Sequence, residues 1–187
     1  MTASRMYVFG YASLVAAPGA RPARLRGHRR VWGVAMDNSV AVPGYKVYEL
    51  PDGTRPAAAV AFLDLERADD DHAIVDGALM EVDDADLARL DARERQYERV
   101  DVSGRIAADG LTGRPVWTYV GRAPGRARVA AGRAGTAEVV VQRAYVDLVE
   151  AAFARLGDDA LARYRAGTEL PPPFPVLELA RVDLAVA

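Results

Sequence analysis

Apolar positions in this chain gather into short runs that alternate or stay continuous, and helical spacing appears once in the middle and again near the end. In residues 5–11, Tyr7, Val8 and Phe9 are β-formers with apolar groups on both faces, which predicts a buried strand. Gly10, Ala12 and Ser13 follow, and small residues let a backbone bend tightly and leave N–H groups uncovered. Two readings are open: a cradle for a small anionic ligand, or a central strand leaving the core through a tight turn. Residues 16–23, with Pro18, Gly19 and Pro22, predict a loop, and residues 23–36 a second strand carried by Val31, Trp32, Val34 and Met36. Turn signals at Pro43-Gly44 and at Pro51, Asp52 and Gly53 bracket a short strand over 45–49. Residues 57–65 and 74–82 predict two further buried strands.

A short helix comes next. Asp83 or Asp84 caps it, Asp86 stands in its first turn, where carboxylates are favoured, and Leu87 and Leu90 form its buried stripe. It ends near Glu94 and Arg95. Residues 97–106 alternate as a half-buried strand, and residues 115–121 predict another after a turn at Gly110 and Gly113. GRAPGRARVAAGRAG, residues 121–135, reads as a long Gly/Ala/Arg loop, of the kind that forms lids or binding loops. Thr136 is the N-cap of a helix running to about residue 156, Gly157 stops it, and Asp158 caps a shorter helix to about residue 166. Residues 171–175 are extended and residues 176–186 form a C-terminal strand or tail. No repeat or linker interrupts the pattern, so residues 1–187 are expected to be one domain. Strands first, one inserted helix and helices at the end predict an α+β fold or a partly closed β-barrel with helices outside.

Composition narrows the chemistry. The chain has 187 residues, 51% of them apolar, enough for a substantial core. The 24 basic and 26 acidic residues leave a net charge of −2, which argues against general nucleic-acid binding. There is no cysteine and only two histidines, His28 and His72, which excludes disulfides, thiolate nucleophiles and histidine-rich metal sites. Asp69, Asp70 and Asp71 read as a solvated loop, and no metal is expected there. No apolar run reaches membrane length and no signal-peptide layout is present, so a cytoplasmic location is expected. Arg21, Arg24, Arg26, Arg29 and Arg30 form a basic cluster, read as a solvated strand edge in preference to an anion-binding rim.

No phosphate loop is present, and GYASL does not match the nucleophile-elbow pattern, so carboxylates and tyrosines remain. Glu94 stands out among them. At the C-terminal end of a helix the dipole disfavours a negative charge by about 0.3–1 kcal/mol, and burial beside Leu90 adds to that. A raised pKa suits a general acid/base near neutrality. Arg93 and Arg95 oppose the shift if they point inward, and the competing reading is an exposed glutamate in an Arg/Glu patch.

The ordered motifs resemble the ChaC-type γ-glutamylcyclotransferases over about residues 5–155. VFGYASL, residues 8–14, resembles that family's FGYGSL motif, and VDGALMEVDDADLARLDARERQYERVDV, residues 75–102, resembles its strand, helix, L-D-x-R-E, Tyr, strand region. RLRGHRRVWG, SVAVPGYKVYEL and WTYVG resemble further segments of it. The resemblance implies a mixed β-barrel or sheet of about six or seven strands with peripheral helices. It implies a cyclotransferase that closes a γ-glutamyl group to 5-oxoproline and releases an amine, amino acid or peptide, with no cofactor and no metal. Glu94 is then the general acid/base, and Tyr11, Ala12, Ser13, Leu14, Tyr97 and Tyr119 line the substrate pocket. Implied substrates are glutathione, γ-glutamyl amino acids or γ-glutamyl amines, bound by a monomer or homodimer without nucleic acid or membrane. The two Arg-rich stretches slightly favour an acidic, peptide-like leaving group. Ala12 replaces the family's second Gly, which costs about 1 kcal/mol if φ there is positive and is harmless if φ is negative. The alternative is a catalytically inactive module of the same fold that binds a γ-glutamyl compound or another small molecule.

Overall fold

In the computed structural model, which describes residues 5–111 and 113–186, the first apolar run becomes β1 (Met6–Gly10). It is buried along its whole length, and its two faces serve two cores. Tyr7 and Phe9 enter the main core, while Met6 and Val8 enter a smaller one with Met80, Val82, Leu87 and Tyr119. A continuous apolar run is what a strand covered on both sides requires.

After β1 the chain makes one 3₁₀ turn, Ser13–Ala16, then β2 (Arg21–Arg26) and β3 (His28–Asp37). Next come β4 (Lys46–Glu49), β5 (Ala59–Arg67), β6 (Ile74–Val82), α1 (Asp84–Arg93) and β7 (Tyr97–Asp101). The rest is β8 (Ile106–Ala107), β9 (Val116–Gly121), α2 (Ala123–Arg133), β10 (Val139–Gln142), α3 (Arg143–Arg155), α4 (Asp158–Ala166), β11 (Val176–Leu177) and β12 (Ala180–Asp183). The fold is α+β. Among the described residues the strands form a six-stranded mixed sheet in the order β7-β9-β1-β6-β2-β8, a four-stranded sheet β11-β10-β5-β3, and the pair β12-β4. Within the six-stranded sheet β1 runs parallel to β9 and antiparallel to β6.

Several elements differ from the sequence reading, each for a physical reason. The second strand is two strands. Gly27, at φ 67°, turns the chain from β2, paired with β6, to β3, paired with β5. Residues 16–23 are not all loop, because β2 begins at Arg21. Residues 121–135 are mostly helix. Gly125 and Gly132 are contact points here and not breakers: a Cβ on Gly125 would lie 2.5 Å from Val34 Cγ2, and one on Gly132 2.4 Å from Val139 Cγ2. The expected helix start at Thr136 gives way to β10, since Val139, Val140 and Val141 are buried, β-branched, and lie between β5 and β11. The long helix starts at Arg143. The basic cluster also divides. Arg30 is buried, 4% exposed, so it is not part of a solvated edge.

Candidate active site

A cavity of about 450 Å³ opens beside the end of β1. It is walled by the turn after β1, by Tyr45, Lys46 and Tyr48 at β4, by Phe62 and Leu63 of β5, and by residues 92–97 at the junction of α1 and β7. The C-terminal part of the chain closes it through Gln142, Tyr145, Arg181, Asp183 and others. All seven residues singled out by sequence — Tyr11, Ala12, Ser13, Leu14, Glu94, Tyr97 and Tyr119 — line this one cavity. No arginine of 21–30 or of 121–135 does, so neither Arg-rich stretch meets a ligand bound there.

The turn is set by close packing and by a buried cation. Gly10 allows the chain to fold back, because a Cβ there would stand 2.6 Å from Leu14 Cβ. Val15 N–H donates to the Ala12 carbonyl at 3.0 Å, closing the 3₁₀ turn. The amides of Ser13 and Leu14 precede that bond and have no backbone acceptor, as first-turn amides do not. Ala12 has φ −139°, so the methyl it carries in place of the family's Gly imposes no left-handed strain. Behind the turn Arg30 donates from Nε to the Tyr11 carbonyl at 2.8 Å, from Nη1 to Thr168 Oγ1 at 3.0 Å, and from Nη2 to the Asp76 carbonyl. Its guanidinium lies 4.9 Å and 5.0 Å from the ring centres of Phe153 and Tyr164. Burial pushes its pKa down to about 10.

Glu94 caps the C-terminus of α1. At the other end Asp83 and Asp86 form a reciprocal capping box, which fixes where the helix starts and therefore where it stops. Glu94 N–H donates to the Leu90 carbonyl at 2.8 Å, and its carbonyl accepts from Tyr97 N–H at 2.9 Å. Its backbone is thus held on both sides. Its side chain is only 15% exposed. Burial raises the carboxyl above its ordinary pKa, against the opposing pull of Arg93, Lys46 and Arg181. Arg93 Nε stands 3.2 Å from Glu94 Oε1, while its Nη2 reaches Ser13 Oγ at 3.5 Å. One guanidinium therefore touches both the carboxylate and the turn. Glu94 is not the exposed member of a charge patch.

The tyrosines hold the walls. Tyr11 donates its hydroxyl to the Tyr119 carbonyl at 2.8 Å, and Tyr97 donates to the Leu63 carbonyl at 2.9 Å. Tyr11 is buried and Tyr97 half-buried, and loss of solvent raises both pKa values well above the usual tyrosine range. Tyr119 contributes to the wall, but its hydroxyl donates to Asp91 Oδ1 at 2.8 Å. Asp91 also pairs with Arg99 Nη1 at 3.0 Å, so its carboxylate ties the last turn of α1 to β9 and β7. The sequence reading missed Asp91, Arg30, Lys46 and Tyr145. Asp91 stands within L-D-x-R-E, three residues before the Glu to which the motif assigns the chemistry. Arg30 was hidden among four other arginines.

No arrangement of three or more His, Asp or Glu side chains suited to a metal occurs among the described residues. No helix among them is long and apolar enough to cross a membrane.

Comparison with known proteins follows the same lines. The crystal structure of YkqA from Bacillus subtilis superposes with a TM-score of 0.55 at 14% identity over 87% of this chain, which spans only 53% of that one. A structure described as gamma-glutamyl cyclotransferase gives 0.53 at 12% identity, covering 93% of this chain and 94% of that one. An uncharacterised protein from Homo sapiens gives 0.53 at 13% identity, covering 94% and 95%. These likenesses establish the shared fold. A search of curated proteins by sequence returns no match. Residues 8–134, which carry the turn, Glu94 and the strands between them, match the family described as gamma-glutamyl cyclotransferase, AIG2-like, and the chain belongs to that family.

Proposed function

We propose that the protein is a γ-glutamyl cyclotransferase that uses Glu94 as its proton carrier. The observation that carries this is the position of Glu94. It is a buried carboxyl with a raised pKa, in the same cavity as a turn whose Ser13 and Leu14 amides lack backbone acceptors. The reaction needs no nucleophile from the protein. The substrate's α-nitrogen attacks its own γ-carbonyl carbon. The new C–N bond closes the five-membered ring, and the bond to the leaving nitrogen breaks. One proton moves from the attacking nitrogen to Glu94 and from Glu94 to the leaving nitrogen, giving 5-oxoproline and a free amine, amino acid or peptide. A carboxyl whose pKa is pulled towards neutrality suits both transfers.

The rest of the cavity supplies conformation and charge. Folding a flexible glutamyl chain into attack geometry is worth up to about 7–11 kcal/mol in favourable intramolecular cases. In this reading Tyr11, Ala12, Ser13 and Leu14 grip the glutamyl group, and the free amides of Ser13 and Leu14 donate hydrogen bonds to the oxyanion or the α-carboxylate. Tyr97 and Tyr119 shape the wall. A single working domain is supported by the cavity, which residues on both sides of position 134 line. Glutathione and γ-glutamyl amino acids are the substrates to try first.

The test incubates wild-type protein with glutathione, γ-glutamyl dipeptides and γ-glutamyl amines and measures 5-oxoproline. Release by wild type and its loss in Glu94→Gln support the reading. Silence across the panel replaces it with a binding module that does not turn over its ligand.

A further inference from the structure

Lys46 is the only lysine in the chain. It opens β4 and lines the cavity that holds Glu94. Its ammonium lies 4.8 Å from the ring centre of Phe62, 5.6 Å from that of Tyr45 and 5.7 Å from that of Tyr48. The other cations lining the cavity are already engaged: Arg93 with Glu94 and Ser13, and Arg181 with Asp183 at 2.6 Å. The Lys46 ammonium makes no hydrogen bond and no ion pair among the described residues. Aromatic faces offset part of the cost of burying an ammonium but supply no acceptor. Glu94 and Asp183 attract the ammonium without a hydrogen bond, so its N–H donors remain free for an anionic group on a ligand.

We propose that Lys46 binds a carboxylate on the leaving group of the γ-glutamyl substrate, so that the cavity takes γ-glutamyl amino acids or peptides in preference to γ-glutamyl amines. The inference rests on the cyclotransferase reading for the identity of the ligand. The glutamyl group's own carboxylate has a separate place at the turn, where Ser13 and Leu14 offer free amides beside the Arg93 guanidinium. Lys46 belongs to another element, β4, which pairs with β12 and sets its side chain against Phe62 of β5. The charged and titratable groups facing it are Tyr45 and Tyr48 beside it, Arg181 and Asp183 from β12, and Arg93 and Glu94 from the end of α1. Burial, with Arg181 adding to it, lowers the Lys46 pKa to about 8. The ammonium is therefore mostly protonated at pH 7 and able to hold a carboxylate.

The test uses full-length Glu94→Gln, which is expected to bind without turnover, and two ligands that share the glutamyl group. γ-Glutamylalanine carries a carboxylate on its leaving group, and γ-glutamylethylamine does not. Calorimetry at pH 7 is expected to show the alanine compound binding about tenfold more tightly. Adding Lys46→Met brings that ratio close to one. Raising the pH above 8 without the Met substitution also shrinks it, and this arm does not depend on how the Met variant folds. Equal binding of the two ligands, no binding of either, a ratio that Met leaves unchanged, or an equal loss for both overturns the proposal. The equal loss would mean that Lys46 holds the glutamyl carboxylate. Release of 5-oxoproline by wild type is read separately. Release with a ratio of one removes the Lys46 assignment and keeps the enzyme, whereas a tenfold ratio without release keeps the carboxylate site and removes the cyclisation.

Discussion

Arg93 Nε lies 3.2 Å from Glu94 Oε1, yet the Glu94 carboxyl is held above its ordinary pKa. An arginine at that distance normally favours the charged carboxylate. Here burial is the larger effect. The Arg93 side chain is 53% exposed and shares its charge with solvent, whereas Glu94 is almost enclosed. The arginine tempers the shift without reversing it, and its contact with Ser13 keeps the carboxyl on the side of the turn.

Glu94→Gln is expected to lower turnover by about 10²–10⁴-fold, the usual contribution of a positioned general acid/base, while the fold persists. The same substitution is expected to stabilise the protein at neutral pH. A carboxyl whose folded-state pKa is raised binds more protons in the native than in the unfolded state, so stability falls as pH climbs from the unfolded pKa through the folded one. Glutamine has no such titration. Thermal melts of both proteins from about pH 4 to about pH 7 should show the variant's advantage growing with pH. An advantage that stays constant or shrinks would mean the carboxyl is not held by burial.

The link from Tyr119 through Asp91 to the end of α1 gives a second expectation. Tyr119→Phe and Asp91→Ala remove the same hydrogen bond, donated by the tyrosine at 2.8 Å. Asp91 is partly exposed, so each should cost only about 1 kcal/mol or less. The double variant should cost less than the sum of the two, as partners in one interaction do. Because Asp91 lies one helical turn before Glu94, both single variants should lower kcat more than they raise KM. Additive stability losses would place the two residues in unrelated interactions.

Arg30→Lys tests the clamp behind the turn. The guanidinium serves the Tyr11 carbonyl, the Thr168 hydroxyl and the Asp76 carbonyl from three separate nitrogens. Lysine keeps the buried charge but presents it from a single atom, so it leaves at least one acceptor unpaired. A loss of about 1–3 kcal/mol in urea unfolding is expected, with a drop in kcat/KM as the Tyr11–Leu14 turn loosens. Stability and activity both at wild-type level would show that the turn holds its shape without Arg30.

Much of the site was legible because its parts are local in sequence. A continuous apolar run and small residues mark β1 and its turn. Two aspartates three apart mark the start of α1, and helix length then places Glu94 at its end. The cavity's far wall was not legible, because it depends on β12 pairing with β4, residues more than a hundred positions apart. That pairing brings Arg181 and Asp183 beside Lys46. Burial of Arg30 likewise follows from contacts with Phe153, Tyr164 and Thr168, which no local pattern announces. The differences at α2 and β10 share one cause: local composition suggests a loop over 121–135 and a helix from Thr136, whereas contact with a neighbouring strand decides both.

The contact of α2 with β3 makes Gly125 intolerant of a side chain. In an isolated helix Gly125→Ala would stabilise by about 1 kcal/mol. Within α2 the added methyl would stand 2.5 Å from Val34 Cγ2 and 3.2 Å from the Ala35 carbonyl oxygen. Val34 is fully buried and β-branched, so it has little freedom to give way. Overpacking of this kind costs about 1–3 kcal/mol, which outweighs the helical gain. Gly135, at the end of the same helix, provides the contrast: a Cβ there meets nothing, but φ is 70°. Gly135→Ala should therefore cost about 1 kcal/mol through backbone strain alone and leave the packing of α2 on β3 intact. Hydrogen exchange separates the two effects. Gly125→Ala should speed exchange along both α2 and β3, whereas Gly135→Ala should loosen only the last turn of the helix. If Gly125→Ala proves stabilising, α2 does not sit against β3 as closely as its glycine allows.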